Sequence, residues 1–151
     1  MVSVLEKWKA QRIAKNFCAD TVREAVEAQY ASIPPTLDDR LKSALRDRGI
    51  ERLYTHQVRS YELATQGNDI VVATPTASGK SLCYNLPILD HLVRDHSARA
   101  LYLFPTKALA RDQEQRLHAL LKDVGVTQGA VTYDGDTPWV TPTSFNKACS
   151  R

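Results

Sequence analysis

An apolar run, Ile70-Val71-Val72-Ala73, leads straight into Thr74-Pro75-Thr76-Ala77-Ser78-Gly79-Lys80-Ser81, and Leu82 onward has helical character. A strand, a close loop of small residues and a helix in that order leave few folds open. Backbone N–H groups of such a loop turn inward on an anion, and the following helix adds the positive end of its dipole. The Gly79-Lys80-Ser81 ending completes a phosphate cradle, with the Lys80 ammonium for the terminal phosphates and the Ser81 hydroxyl for Mg²⁺. Thr76, Ala77 and Ser78 are small enough to let the backbone pass close to a phosphate. The usual pattern wants a glycine where this chain has Thr74, so the flanking strand and helix carry the assignment. An ordinary strand–loop–helix turn with an accidental Gly-Lys-Ser is the competing explanation of the loop taken alone.

With 151 residues, 43% of them hydrophobic and 25% charged, the chain has the length and make-up of one globular domain with a real core. Its net charge of +3 suits a nucleic-acid partner without demanding one, because Lys and Arg are dispersed along the sequence. Cys18, Cys83 and Cys149 lie far apart, and His56, His91, His96 and His118 form no zinc pattern. Sparse, odd cysteines argue against a disulfide framework and for a reducing compartment. Glu6, Lys7 and Lys9 interrupt any early apolar run, so no signal peptide is expected. No apolar stretch approaches the ~20 residues of a membrane helix. A cytoplasmic location is expected.

Along the chain, Val4, Leu5, Trp8, Ile13 and Phe17 can share one helical stripe, followed by a second run with Val22, Ala25, Val26 and Tyr30. The pair Pro34-Pro35 ends this region. Thr36, with Asp39 three residues on, is the expected cap of a helix over 37–48, and Gly49 its stop. Thr55 is the expected cap of the next helix, which ends near Gly67. Strands are predicted at 70–73, 100–104 and 130–133, with helices at 80–94 and 107–124 between them. Short apolar strands alternating with helices predict an α/β fold whose parallel sheet is covered on both faces. Ligands of such sheets sit at the carboxyl ends of the strands, where the Gly-Lys-Ser loop falls. From Pro138 to Arg151 the periodicity stops, and an irregular tail is expected.

Three further segments carry a family resemblance. Gly49-Ile50-Glu51-Arg52-Leu53-Tyr54-Thr55-His56-Gln57 resembles the adenine-reading Q motif of superfamily 2 helicases, the DEAD/DEAH-box relatives. A Gln amide donates to and accepts from one adenine edge at once, and the resemblance gives Gln57 that role, with Tyr54 stacked on or packed beside the base. Phe104-Pro105-Thr106-Lys107-Ala108-Leu109-Ala110-Arg111 resembles helicase motif Ia, which touches the nucleic-acid backbone. A hydroxyl, a helix start and two cations suit phosphates, which makes Pro105, Thr106, Lys107 and Arg111 candidate contacts. Tyr133-Asp134-Gly135-Asp136-Thr137 resembles a signature of the RecQ-like, mitomycin-repair-type branch of the same superfamily. The agreement runs from about Ile33 to Thr137, and Thr74 is a trait of that branch. It implies a RecA-like P-loop fold, ATP and Mg²⁺ as cofactors, DNA as partner, and ATP-dependent unwinding linked to repair. Residues 1–48 then form a helical N-terminal extension, 49–137 part of the first RecA-like lobe, and 138–151 the irregular tail.

Two parts of a complete motor do not show in the sequence. No apolar strand closes on an Asp-Glu pair that would hold Mg²⁺, and the arginines of a second lobe are missing; that lobe would be the natural partner surface. A truncated or frame-shifted product, inactive or nearly so by itself, is the expectation. A generic reader would make Asp134 the metal-binding acid, whereas the resemblance assigns Asp134, Gly135, Asp136 and Thr137 to the nucleic-acid side. A small P-loop enzyme such as a kinase, and a non-catalytic nucleotide or nucleic-acid binding module, are the alternatives.

Overall fold

A computed structural model describes residue 7 and residues 27–75, 78–126 and 129–137. The expected apolar stripe up to Val26, Thr76, Ala77 and the tail 138–151 lie outside the described residues. Strand β1, Tyr30–Ala31, pairs antiparallel with β2, Leu53–Tyr54, so that Tyr30 faces Tyr54 and Ala31 faces Leu53. Tyr30, expected in a helical run, is therefore a strand residue, its ring stacked on that of its ladder partner at 4.9 Å between centroids. Cross-strand aromatic pairs of this kind stabilise a short ladder by a few tenths to about 1 kcal/mol.

Helix α1 spans Asp39–Asp47, and its cap is Asp38, whose carboxylate accepts from Arg40 N at 2.9 Å. Thr36 does not cap it, because Leu37 N bonds back to Pro34 O at 3.1 Å and residues 34–37 are used in that turn. The Arg40 guanidinium holds the Asp38 carboxyl below the usual carboxylate range. Gly49 ends the helix as expected, its N–H bonded to Arg46 O. Strand β2 runs directly into α2, Thr55–Thr65, with Tyr54 as cap residue and Thr55 already helical. Helix α3 covers Lys80–Arg94, and α4 covers Lys107–Asp123 behind the Thr106 hydroxyl, which accepts from Leu109 N at 3.3 Å.

The core lies among the helices. Leu37, Leu41 and Leu45 meet Leu53, Tyr61, Leu86, Leu89 and Val93, and Leu120, Leu121, Val124 and Val126 close the other side. Burying each such side chain contributes about 1.5–3 kcal/mol. Helix α2 packs most extensively on α3, while α1 touches both α3 and α4. Asp90 of α3 ties this packing together: buried at 6% exposure, it accepts from Asp38 N, the Tyr61 hydroxyl and Arg94. Cys83 is buried, burial pushes its thiol up, and it behaves as a small core residue.

The expected parallel sheet is where structure and sequence part. Among the described residues the β1–β2 ladder is the whole of the sheet hydrogen bonding, and 70–73, 100–104 and 130–133 join no ladder. Residues 70–73, 101–104 and 130–133 still show period-two burial, half-buried and exposed residues alternating. One face is packed, with Tyr102 donating its hydroxyl to Asn85 Oδ1 of α3 at 3.0 Å and Thr132 donating to Glu114 of α4. The other face is bare, with Val71 at 97% exposure and Leu101 and Leu103 each at 83%. A strand exists only through its neighbours, and these segments have side-chain anchors on the helices without hydrogen-bonded strands beside them.

Candidate functional site

The phosphate loop enters α3 through Gly79, which has φ +72°. Two consecutive residues of the first α2 turn grip the loop from one side. His56 Nε2 lies 2.9 Å from Ser78 O, and Gln57 Nε2 donates to Gly79 O at 2.9 Å. A carbonyl can only accept, so Nε2 is the donor of this bond. Gln57 is buried at 3% exposure, and its Oε1 accepts from Tyr54 N at 2.9 Å. One amide thus joins the start of α2 to the end of the loop.

Lys80 turns back into the same loop. Its Nζ donates to Thr74 O at 2.8 Å and Pro75 O at 2.6 Å, and it approaches Ser78 Oγ at 3.4 Å. The Thr74 hydroxyl meets Ser78 Oγ at 2.6 Å, closing the loop's two ends on each other. Thr74, anomalous as a pattern position, has a structural task here, since both its hydroxyl and its carbonyl are engaged. An ammonium satisfied by loop carbonyls marks the place where an anion would draw it instead. Ser81 stands in the first turn of α3, one residue beyond Lys80. Among the described residues no cluster of His, Cys, Asp or Glu forms a ready-made metal cage.

Beside this loop is a cavity of about 500 Å³ lined by Tyr30, Ile50, Arg52, Tyr54, Gln57, Gly79 and Leu82, among others. Its size is that of a small-ligand site. Tyr54 stacks with Tyr30 and also with His56, the latter at 5.4 Å with 11° between planes. Arg52 lies over the Tyr30 ring at 5.4 Å. Tyr54 is therefore the middle of a ring column that forms part of the cavity wall. Neither Tyr30 nor His56 was singled out from the sequence. The signals for them were present: an aromatic just ahead of Pro34-Pro35, and a polar ring next to Gln57 on the same helical turn.

A second cluster joins the start of α4 to the turn after residue 133. Lys107 pairs with Asp136, and Arg111 with Asp134 at 3.8 Å. The turn is built by Asp134, whose N–H donates to Thr137 Oγ1 at 2.9 Å and whose carboxylate accepts from Asp136 N at 3.0 Å. That backbone N–H, then the Thr137 hydroxyl and the charges of Lys107 and Arg111, hold the Asp134 carboxyl below the usual carboxylate range. Pro105 and Thr106 lie at the same helix start, and Gly135 leaves 4.0 Å between a would-be Cβ and Lys107 Nζ. The structure thus brings together Lys107, Arg111 and the 134–137 turn, all expected on one side. The hydrogen-bond and ion-pair partners of Asp134 lie on its own turn and on α4.

The DEAD/DEAH box helicase family model matches residues 54–149. The chain is 50% identical over 114 residues to an uncharacterized ATP-dependent helicase, YprA, of Bacillus subtilis (strain 168), covering 76% of this chain and 15% of that protein. It is 41% identical over 117 residues to the ATP-dependent helicase hrq1 of Schizosaccharomyces pombe, covering 76% of this chain and 11% of that one. The crystal structure of the DUF1998 helicase MrfA bound to DNA and AMPPNP matches with a TM-score of 0.73 at 48% identity, over 81% of this chain and 17% of that one. The chain therefore spans 11–17% of the length of these relatives.

Proposed function

The chain belongs to the DEAD/DEAH box helicase family, and from that premise we propose that it supplies the ATP- and DNA-binding portion of a first RecA-like lobe in a mitomycin-repair-type DNA helicase. The observation that carries this is the joint grip of His56 and Gln57 on Ser78 O and Gly79 O beside a cavity of about 500 Å³. One buried amide in the wall of that cavity is bonded directly to the end of the phosphate loop.

The residues present fit a nucleoside triphosphate with Mg²⁺. Gln57 and the Tyr54 ring would take the base side, the loop ending in Ser78, Gly79, Lys80 and Ser81 would take the phosphates, and Lys80 would trade its loop carbonyls for phosphate oxygens. Ser81 offers the one hydroxyl of the Gly-Lys-Ser ending to the metal. When bound, MgATP supplies the hydrolysable phosphoanhydride whose free energy drives strand movement in a complete motor. This chain's own residues bind and orient it. Pro105, Thr106, Lys107, Arg111 and the 134–137 turn form the DNA side, where contacts to phosphate set position and not sequence. In this proposal residues 49–137 are the partial lobe and 1–48 its extension. The metal-holding acid and the arginines come from the further length the relatives possess. A cytoplasmic location is part of the same proposal.

Equilibrium titration with MgADP tests it. The expected result is saturable binding that Lys80→Ala weakens about ten- to a hundredfold, the worth of a charge-assisted hydrogen bond of 1.5–3 kcal/mol. Turnover of MgATP is expected to stay at background, with or without single-stranded DNA. Binding indifferent to Lys80 would remove the site, and Lys80-dependent turnover would remove the claim that the acid lies elsewhere.

A further inference from the structure

We propose that His56 is a positioning residue for the phosphate cradle: its imidazole fixes the Ser78–Gly79 peptide so that the loop's N–H groups face the anion. The proposal rests on the nucleotide-binding assignment of the site.

In a trans peptide the carbonyl and the following N–H point in opposite directions, and there is no cis bond among the described residues. Ser78 O is held by His56 Nε2 at 2.9 Å, and Gly79 O by Gln57 Nε2 at 2.9 Å. Both donors come from the same turn of α2. Holding two successive carbonyls from one side commits the N–H groups of Gly79 and Lys80 to the other. These N–H groups stand at the start of α3, where no intrahelical acceptor exists for them. Successive N–H groups turned one way by a left-handed residue form a concave anion nest, and Gly79 has that conformation at φ +72°.

The two grips are not equivalent. Gly79 O has a second donor, Leu82 N at 3.1 Å within the first turn of α3, so the helix itself helps to orient it. Ser78 lies before the helix, and among the described residues the bond from His56 orients its carbonyl from outside the loop. The imidazole is in turn kept in plane by Tyr54, stacked at 5.4 Å, and Tyr54 by Tyr30 at 4.9 Å. Tyr30 and Tyr54 both line the cavity beside Gln57.

Calorimetric titration of the full chain with ADP and with adenosine separates this role from a structural one. The variants are His56→Leu, which keeps bulk against Tyr54 and loses the donor, and His56→Gln, whose amide nitrogen reaches a position near that of Nε2. The expected result is that His56→Leu loses about tenfold in ADP affinity while adenosine affinity stays within twofold, and that His56→Gln recovers ADP binding to within about threefold of the parent. Equal loss for both ligands, no loss for ADP, or failure of Gln to rescue would overturn the role. Should His56→Leu not fold, His56→Gln against His56→Asn, whose shorter amide does not reach Ser78 O, gives the same comparison. Lys80→Ala is the separate control. Binding that depends on Lys80 but not on His56 sinks only the positioning role, whereas ADP binding absent from the parent sinks the nucleotide assignment itself.

Discussion

Replacing Gly79 by alanine puts two separable penalties on one atom. The residue sits at φ +72°, where an L side chain costs about 1–2 kcal/mol. The new Cβ would also lie 2.5 Å from Gln57 Nε2, with the Tyr54 ring carbons at an ordinary 3.7 Å. Gln57 is a flexible side chain in general but not here, since it is 3% exposed and held at both ends of its amide. Moving it breaks the bond to Gly79 O and disturbs the one from Tyr54 N, a combined loss of about 1–2 kcal/mol. The whole change therefore costs about 2–4 kcal/mol. Gly67 provides the internal control, because it has φ +80° and nothing within 4 Å of its would-be Cβ. Gly67→Ala carries the conformational penalty alone, and the reduced unfolded-state entropy of alanine applies to both variants. Urea unfolding should show both with an unchanged slope and Gly79→Ala less stable than Gly67→Ala by about 1–2 kcal/mol. In the Gln57→Ala background the difference should vanish. Equal losses in the two glycine variants would refute the idea that Gln57 is a fixed brace against the loop.

Two further outcomes follow from the same geometry. In Asp136→Asn, Lys107 loses its carboxylate partner, so single-stranded DNA should bind more tightly at low salt, with a salt slope steeper by about 0.7, the value for one added phosphate contact; an unchanged slope in fluorescence anisotropy would mean that Lys107 does not meet the strand. Asp90→Ala strips Asp38 N of its side-chain acceptor and leaves the buried Tyr61 hydroxyl with Thr36 alone, while the half-exposed Arg94 keeps Thr36 O, so unfolding should show a loss of about 2–3 kcal/mol, and a loss below about 1 kcal/mol would deny Asp90 its place in the core.

The helices were legible because their signals are local. Gly49, Gly67 and Thr106 mark ends that the structure keeps, and of the apolar face expected on α4, Leu109, Leu117, Leu120, Leu121 and Val124, the last three reach the core and Leu117 packs against it, while Leu109 stays 40% exposed. Signals that depend on partners failed. Thr36 has the chemistry of a cap, but a turn closed from Leu37 N to Pro34 O takes its place in the chain, and Asp38 caps instead. Tyr30 has an aromatic body that fits either state, and only the distant Tyr54 makes it a strand. The segments at 70–73, 101–104 and 130–133 have the right alternation, yet strand formation is a property of pairs. A composition apolar on both faces told of covering layers; the described residues cover one.

The site shows the same division, and Gln57 shows how it resolves. The family resemblance gives its amide the role of a reader of adenine, while the structure occupies that amide with Tyr54 N and Gly79 O. The two uses do not exclude each other once capacity is counted. A glutamine amide has two N–H donors and an oxygen with two lone pairs. One donor and one lone pair are taken, which leaves one of each, the set that a single adenine edge requires. The amide plane is fixed by the loop and by β2, so in the proposed site base recognition would be oriented by the phosphate loop before any base arrives. Such preorganisation lowers the entropy that binding must lose. A pattern of residues cannot display it, because it depends on two hydrogen bonds spanning 3 and 22 positions that only the folded chain brings onto one side chain.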